Sequence, residues 1–404
     1  MKNIPKIVFI IILSMICQSG CKPKHLVRHV TYKNALVPVR ICYPDFKDDM
    51  DINSLKVAIE QNLKYLNRLS PETIFHYGAD TFTCSQIKTA QELFLNMLMQ
   101  DPDQDQLNEY IRKNFIVYRA IGQTKTGKTL FTGYFEPVLQ ARLNKNRIFK
   151  YPIYKKPDDL INIDLSPFGK QFRGKRIVAK IEGKKITPYY SRSQIDTLHV
   201  LDGKNLEIAW LKNPIDRFFL HIQGSGKLLL PENKTIQVGY AASNGLPYRS
   251  IGRYMFKKGY LTRDELSMQN IRKYISRYPE TADSILNHNP SYVFFRILPN
   301  GPLGNINVPL TPGRSIALDS KLFPKGALGF ISCQKPIIDS KGNIVRWERF
   351  SRFVVNQDTG GAIKGAGRAD IFWGSGKYAR IVAGHLKHEG ELYIMMMKGP
   401  QKKQ

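Results

Sequence analysis

The last hundred residues constrain the fold most, because short apolar runs alternate there with glycine and proline and no long helical pattern intervenes. Such runs are typical of β-strands, since β-branched and aromatic residues favour extended backbone while Gly and Pro interrupt it. The predicted strands are 293–295, 315–318, 327–332, 343–356, 379–383 and 392–396. Short strands at this density predict a β-barrel or a β-sandwich.

The first part of the chain has helical spacing instead. Leu55, Ile59, Leu63 and Leu66 recur every three to four residues and predict a helix over 51–68. Similar patterns predict helices at 87–98, 107–111, 262–276 and 279–287, and a capping box formed by Thr262 and Glu265 opens the third of these. A hairpin of 115–121 with 130–135 is also predicted. The predicted short strands are 151–154, 176–179, 186–190 and 218–222.

Composition indicates a globular protein with more than one domain. Of the 404 residues, 42% are hydrophobic and 11% aromatic, which excludes a disordered acidic chain. The net charge is +28, and segment 142–192 has 14 basic and 4 acidic residues, so it is the predicted basic face. In a cytosolic protein this charge would favour nucleic acid, whereas an exported protein meets peptidoglycan carboxylates and lipid phosphates. A solvated surface without any partner is the alternative.

The N-terminus has the layout of a secretory signal. Lys2 and Lys6 precede an apolar run at 7–16 that is short for a membrane span, and Cys21 follows a Ser-Gly pair. This pattern resembles a bacterial lipobox, which predicts a signal peptide over 1–20 and a lipid on Cys21. An ordinary cleaved signal or an uncleaved anchor is the alternative. Because Lys22 follows the cysteine, the resemblance to bacterial lipoproteins implies the periplasmic face of the outer membrane.

The other cysteines and the histidines form no recognisable framework. Cys42, Cys84 and Cys333 permit one disulfide at most, and their pairing stays open. His385 and His388 lie at HxxH spacing but lack a third ligand, so no metal site is predicted.

The densest candidate site is the glycine-rich segment 356–376, which contains Asp358, Arg368, Asp370 and Trp373. Asp370 lies between apolar residues, and burial there would raise its pKa because desolvation disfavours the charged form. A carboxylic acid that is protonated near neutral pH is a general acid. A Gly-rich turn with a capping Asp is the structural alternative.

Two other blocks suit a polar ligand. Segment 218–226 contains Gln223 beside a Gly-Ser-Gly turn that matches no nucleotide motif, and Tyr240 follows in 238–252. Segment 132–142 contains Tyr134 and Glu136, a possible second carboxylate that the following proline holds in extended backbone. A solvated loop glutamate is the alternative for Glu136.

These blocks together resemble the MltA family, the membrane-bound lytic murein transglycosylases A, over about 115–396. The matching motifs are 132–142, 188–192, 218–226, 238–252, 289–296, 301–304, 308–319 and 356–376. The segment 308–319 resembles the entry to the family's C-terminal "3D" segment, and Asp319, Asp358 and Asp370 fit its three aspartates. Relatives have one residue fewer between the last two, so the loop 365–369 differs in detail.

The resemblance implies a mainly β fold with peripheral helices: a double-psi β-barrel domain, a smaller inserted β-barrel domain, and a substrate groove between them. The implied division is a signal peptide at 1–20, a tether at 21–48, a helical part of domain 1 at 49–135, the inserted barrel at 136–225, the remainder of domain 1 at 226–300, and the 3D segment at 301–396.

The resemblance also implies a lytic transglycosylase that cleaves the β-1,4 bond between N-acetylmuramic acid and N-acetylglucosamine and leaves 1,6-anhydro ends. Asp370 is the implied catalytic acid, and Asp358 and Asp319 have supporting roles. The expected sugar contacts are Tyr134, Glu136, Gln223, Tyr240 and Trp373. No cofactor, metal or nucleic acid is expected; the expected partners are glycan strands, a membrane through the lipid, and a cell-wall enzyme complex. A peptidoglycan hydrolase of the same fold and a non-catalytic peptidoglycan-binding lipoprotein are the alternatives.

Overall fold

A computed structural model describes residues 30–122 and 127–399. The predicted signal peptide and Cys21 lie outside these ranges. None of the helices within them is both long and apolar enough to cross a bilayer.

Among the described residues, more lie in β-strands than in helices. In chain order the strands are β1 Leu36–Pro38, β2 Ile74–Tyr77, β3 Asp80–Thr83, β4 Phe115–Ala120, β5 Thr129–Glu136, β6 Val138–Arg142, β7 Tyr151–Tyr154, β8 Ile161–Asp164, β9 Arg176–Glu182, β10 Lys185–Pro188, β11 Glu207–Leu211, β12 Ser225–Leu229, β13 Thr235–Ser243, β14 Val293–Leu298, β15 Ser315–Ala317, β16 Leu328–Ile338, β17 Ile344–Asp358, β18 Arg368–Ser375 and β19 Lys387–Met397. The helices are α1 Ile52–Leu66, α2 Cys84–Met99, α3 Gln104–Asn114, α4 Arg192–Asp196, α5 Pro214–Gln223, α6 Ile251–Lys257, α7 Met268–Arg277, α8 Ala282–Asn287 and α9 Gly376–His385.

Six strands close into the main barrel, in the order β19, β16, β17, β15, β18 and β5. The ring closes where Lys387–Gly390 of β19 pairs with Thr129–Thr132 of β5. The pairs β15·β17 and β18·β5 are parallel, whereas the other pairs in the ring are antiparallel. A closed barrel with peripheral helices confirms the predicted fold class.

An aromatic cluster joins the helices to this barrel. Phe353 of β17 lies 5.0 Å from Phe330 of β16 and 5.4 Å from Phe94 of α2, between ring centroids. Phe46 lies 5.1 Å from Phe330. Offset and edge-on aromatic contacts of this kind stabilise a core beyond the contribution from the burial of its apolar area. The N-terminal segment and α2 therefore belong to the same core as the barrel.

A second, smaller barrel is built from β14, β13, β12, β6, β11 and β7, in that order. A bridge between Lys155 and Phe295 joins the two outer strands and completes the ring. The predicted boundary of the inserted barrel at residue 225 is therefore wrong, because β12, β13 and β14 lie beyond it. Residues 226–300 were assigned to domain 1, but their strands pair with β6 of the inserted barrel.

A buried ionic cluster lies within the inserted domain. Arg192 and Arg217 both contact Asp196, at 3.4 Å and 3.0 Å, and the Arg192 Nη1 lies 3.0 Å from Nδ1 of His221. Burial, followed by the charge of Arg192, lowers the pKa of His221 well below its usual range, so the ring is neutral. Arg192 also donates to the carbonyl oxygens of Asn289 and Ser291, which fixes the loop before β14.

Several local predictions are wrong. Residues 36–38 of the predicted tether form β1, which pairs with β4, and Phe46 is fully buried. The predicted hairpin is absent from the described residues: β4 and β5 pair with different parts of β19 instead. Both β4 and β5 therefore pair with a strand that is distant in sequence, and not with each other.

Two predicted strands lie in helices. Residues 218–222 belong to α5, because the Asn213 side chain accepts a hydrogen bond from the Ile215 N–H and Gly224 ends the helix in left-handed backbone. Residues 379–383 belong to α9. The Glu265 side chain does accept a hydrogen bond from the Thr262 N–H, but the pair closes a turn, and α7 begins later, capped by Ser267.

Candidate active site

Asp370 lies in β18, between β5 and β15 of the main barrel. It pairs with Thr132 on one side and Ala317 on the other. Side chains alternate along a strand, so its neighbours Ala369 and Ile371 point into the barrel core while Asp370 points outward. The outer face of the barrel therefore carries the candidate acid on a rigid strand.

The hydrogen bonds of Asp370 leave one oxygen for a substrate. The Thr132 hydroxyl donates to Asp370 Oδ1 at 2.9 Å, and Arg368 Nη2 donates to that hydroxyl at 3.3 Å. Within 30–122 and 127–399, no hydrogen bond reaches Asp370 Oδ2.

Two opposing influences determine the protonation of Asp370. Burial raises its pKa to about 6, and the charge of Asp358 acts in the same direction. The Thr132 hydrogen bond and the charge of Arg368 oppose this rise, because both favour the carboxylate. A pKa near 6 lets one carboxyl group both give and take a proton close to neutral pH.

Asp358 ends β17, on the far side of Ala317 from Asp370. Ala317 pairs with both aspartates, so their Cα atoms are about two strand spacings, or about 10 Å, apart. The Tyr134 hydroxyl donates to Asp358 Oδ2 at 2.8 Å, and the Asn305 N–H donates to Oδ1 at 2.9 Å. Burial raises the pKa of Asp358 to about 6, against these hydrogen bonds.

The third aspartate of the segment, Asp319, holds the glycine-rich loop. Its Oδ2 accepts a hydrogen bond from the Gly365 N–H at 2.8 Å, and its Oδ1 accepts one from Lys321. Asp319 is buried. These contacts connect Asp319 to the loop that precedes β18, and its predicted supporting role stays a prediction.

Glu136 and Gln223 tie the end of β5 to the inserted barrel. Gln237 of β13 donates to Glu136, and Gln223 of α5 accepts a hydrogen bond from the Phe135 N–H at 3.0 Å. Burial raises the pKa of Glu136. Glu136 lies four strand residues beyond Thr132, about 13 Å along β5. Both side chains thus have protein partners and lie away from the Asp370 carboxyl.

The two aromatic candidates differ in exposure. Tyr240 is 52% exposed on β13, so its ring is available to a ligand. Trp373 is only 9% exposed and belongs to the main core, beside Phe350 at 6.1 Å. A Cβ on Gly133 would lie 2.8 Å from the Trp373 ring, so glycine makes this packing possible. The expectation that Trp373 stacks on a sugar is wrong, because alternation along β18 turns it inward.

The remaining candidates form no further centre. Cys84 and Cys333 are buried and unbonded to each other, and Cys42 is exposed. The His388 ring packs against Trp347 at a tilt, and His385 Nδ1 contacts a carbonyl of its own helix. The described part of the chain has no group of three or more His, Cys, Asp or Glu that could hold a metal ion.

Sequence reasoning assigned no role to Thr132, Arg368 or Asn305. Arg368 precedes Asp370 by two residues, and alternation alone places both on one face. Thr132 precedes Tyr134 by two residues in the same way. The contact of Thr132 with Asp370 depends on the pairing of β5 with β18 across 238 residues, and that of Asn305 with Asp358 spans 53 residues, so no local pattern indicates either.

Comparisons with known proteins agree with this architecture. Residues 130–296 match the MltA specific insert domain, and residues 314–396 match the 3D domain. The first match ends within β14, so it covers the inserted barrel as the structure has it. The second covers the strands β15–β19.

Similar proteins have been characterised in several bacteria. The chain is 30% identical over 275 residues to membrane-bound lytic murein transglycosylase A of Vibrio cholerae, covering 67% of this chain and 66% of the relative. It is 31% identical over 277 residues to the Escherichia coli K12 protein of that name, covering 68% and 67%. The match thus spans about two thirds of each relative.

A crystal structure described as membrane-bound lytic murein transglycosylase from Agrobacterium tumefaciens superimposes with a TM-score of 0.71 at 30% identity, covering 86% of this chain and 93% of that one. Both barrels, the insert and the 3D segment are therefore shared with these proteins, and the chain belongs to the MltA family of lytic murein transglycosylases.

Proposed function

We propose that this chain cleaves the β-1,4 bond between N-acetylmuramic acid and N-acetylglucosamine of peptidoglycan and leaves a 1,6-anhydro end. The observation that carries the proposal is the outward carboxyl of Asp370, with one oxygen bound by Thr132, the other free of partners among the described residues, and a pKa of about 6. The family and the names of the relatives supply the substrate class. The glycan would lie in a groove between the two barrels, beside β5.

The first step needs a protonated acid. Asp370 gives its proton to the glycosidic oxygen while the bond from that oxygen to C1 of the muramic acid breaks. Burial favours the protonated form before the step, and Thr132 and Arg368 stabilise the carboxylate that results.

The second step uses the same group as a base. The carboxylate takes the proton of the C6 hydroxyl while that oxygen bonds to C1, so the acid is regenerated and no water is consumed. An internal nucleophile has an effective molarity of up to ~10⁵–10⁸ M, which makes a second catalytic carboxylate unnecessary. No step requires a metal or an organic cofactor.

Hydrolysis is the second candidate, favoured by the spacing of Asp358 and Asp370. Inverting glycosidases place two carboxyl groups about 6.5–9.5 Å apart, and the Cα separation of about 10 Å is compatible with that range. Tyr134, Asn305 and Thr359 all donate to Asp358, however, so its lone pairs are largely occupied. Glu136 is farther from the Asp370 carboxyl, because it lies about 13 Å along β5 from Thr132, the residue that pairs with Asp370.

Product mass distinguishes the two reactions. Sacculi digested in ¹⁸O-labelled water should yield muramic ends that are lighter than hydrolysed ends by one water and free of label. Labelled, hydrated ends would instead identify a hydrolase. Asp370→Asn provides the blank for spontaneous release, and absence of products from the wild-type chain would leave only a peptidoglycan-binding role.

The same proposal includes an attachment to the membrane. Cys21 after Ser19-Gly20 supports lipid modification, and the names of the relatives describe them as membrane-bound. Incorporation of labelled fatty acid should be lost in Cys21→Ala and kept in Cys42→Ala. Equal labelling of both variants would exclude Cys21 as the lipid site. Fractionation of the labelled cells would test the periplasmic face of the outer membrane as the location.

A further inference from the structure

The three-stranded sheet β8–β9–β10 carries a row of isoleucines on one face. Ile177 lies opposite Ile163, and Ile181 lies opposite Ile186. Residues 177 and 181 share a face because side chains alternate along β9. Ile177 is 42% exposed, Ile181 64% and Ile186 60%.

The opposite face of this sheet already has a partner. Val178 packs against the buried cluster around Tyr292 in the inserted domain. The Lys180 ammonium lies 3.9 Å from the centre of the Tyr190 ring and pairs with Glu182. The sheet is thus anchored by one face, whereas Ile177, Ile181 and Ile186 on the other face are exposed.

Basic side chains lie at both ends of the isoleucine row. The loop between β8 and β9 contains the exposed Lys170, Arg173 and Lys175, next to Phe168, which is 69% exposed. The turn between β9 and β10 contains the exposed Lys184, and the exposed Lys185 is the first residue of β10. From 161 to 188 the chain has seven basic and two acidic residues. One sheet therefore combines an apolar face with a large positive charge.

This combination fits an anionic bilayer better than a glycan. Interfacial segments bury an apolar face at the headgroup boundary while Lys and Arg contact lipid phosphates. A glycan strand also offers anions, but its polar surface would leave the isoleucines in contact with water. Exposed apolar faces of this kind mark interaction sites.

We propose that the isoleucine face of β8–β10 lies on an anionic phospholipid surface, with Lys184, Lys185 and the 165–175 loop on the headgroups. This contact is separate from the lipid on Cys21 and from glycan cleavage. It would hold the inserted barrel, and so one wall of the proposed groove, at a fixed orientation to the membrane.

Binding to vesicles tests the proposal without the lipid. The polypeptide from residue 21 with Cys21→Ser retains every described residue and lacks the apolar run at 7–16. We expect it to co-float with phosphatidylglycerol–phosphatidylcholine vesicles and far less with phosphatidylcholine alone. Lys184→Glu/Lys185→Glu should weaken binding at least about tenfold, and 0.5 M salt should weaken it too, because screening shortens electrostatic range.

An apolar variant and matched controls complete the experiment. Ile181→Ser/Ile186→Ser should also lose vesicle binding, whereas Lys257→Glu/Lys258→Glu and Ile74→Ser/Val345→Ser, exposed residues outside the sheet, should not. All four variants should keep wild-type turnover on soluble glycan fragments, which verifies folding.

Three outcomes would overturn the proposal. The first is equal binding to both vesicle types, and the second is wild-type vesicle binding by the two sheet variants. The third is that those variants lose only binding to sacculi, or only self-association in sedimentation, which would assign the face to a glycan or to a second copy of the chain.

Discussion

The two barrel domains differ in where their ionisable side chains lie. The main barrel presents Asp370 and Asp358 half-buried on its outer face, where desolvation raises the pKa of each to about 6, whereas the inserted domain encloses Arg192, Arg217 and Asp196 as a charged cluster. The two arginines share the single carboxylate of Asp196 inside the protein, while the Asp370 carboxyl has one oxygen, free of hydrogen bonds in the described part of the chain, with which it can exchange a proton. The candidate acid thus lies on the outer face of a barrel strand, whereas the ionic cluster lies on the helices α4 and α5.

Loss of the acid should have the largest effect. Asp370→Asn keeps the shape and can still accept from Thr132, but it cannot transfer a proton, so turnover on sacculi should fall by ~10²–10⁴-fold or more. Thermal unfolding should change little. Asp264→Asn, at an exposed position, is the matched control. If Asp370→Asn keeps more than about a tenth of wild-type turnover, the single-acid mechanism fails.

Loss of a buried cation should act on stability instead. Arg192→Met leaves the carbonyl oxygens of Asn289 and Ser291 without their donor, so the free energy of unfolding should fall by about 3–5 kcal/mol. Urea denaturation measures this change, and Arg263→Met, at an exposed position, should have almost none. A large loss of turnover without loss of stability would place the cluster in the catalytic machinery and remove the contrast between the barrels.

The pH profile should separate the two aspartates. Asp370 must begin protonated, and its pKa is about 6, so kcat/KM should fall as pH rises above about 6. The charge of Asp358 raises that pKa, so Asp358→Asn should move the descending limb to lower pH. Asp264→Asn should leave the limb in place. A limb that does not move in Asp358→Asn would mean that the two carboxyl groups titrate independently.

Replacement of Glu136 should have the smallest effect. Glu136→Gln removes the charge about 13 Å from Thr132 along β5, so turnover should fall far less than the ~10²-fold expected for a general acid or base. The same digestion assay, run beside Asp370→Asn, measures the difference. A loss that matches Asp370→Asn would restore Glu136 as the base of a hydrolase.

The sequence predicted those features that local patterns determine. The spacing of Leu55, Ile59 and Leu66 located α1, and the apolar setting of Asp370 predicted its raised pKa. Family motifs added the two barrels and the groove between them. These predictions rest on neighbours in sequence or on a whole motif.

Pairing between distant segments explains what the sequence did not predict. The apolar run 218–222 fits a strand or a helix equally well, and the cap at Asn213 decides for the helix. The predicted boundary of the inserted barrel at residue 225 is wrong because strand pairing determines which strands belong to a barrel. Strand β12 pairs with β6, although most of the inserted domain separates the two in sequence. The same holds for Thr132, whose partner Asp370 is 238 residues away.

The order of the strands along the chain has a consequence for biosynthesis. The inserted barrel uses only strands between residues 138 and 298, so a ribosome delivers it complete while the main barrel still lacks most of its ring. The acid site forms only when β18 pairs with β5, and the ring closes only with β19, the last strand among the described residues. A nascent or truncated chain that has not yet reached β18 therefore has no assembled acid site, and one without β19 has no closed ring.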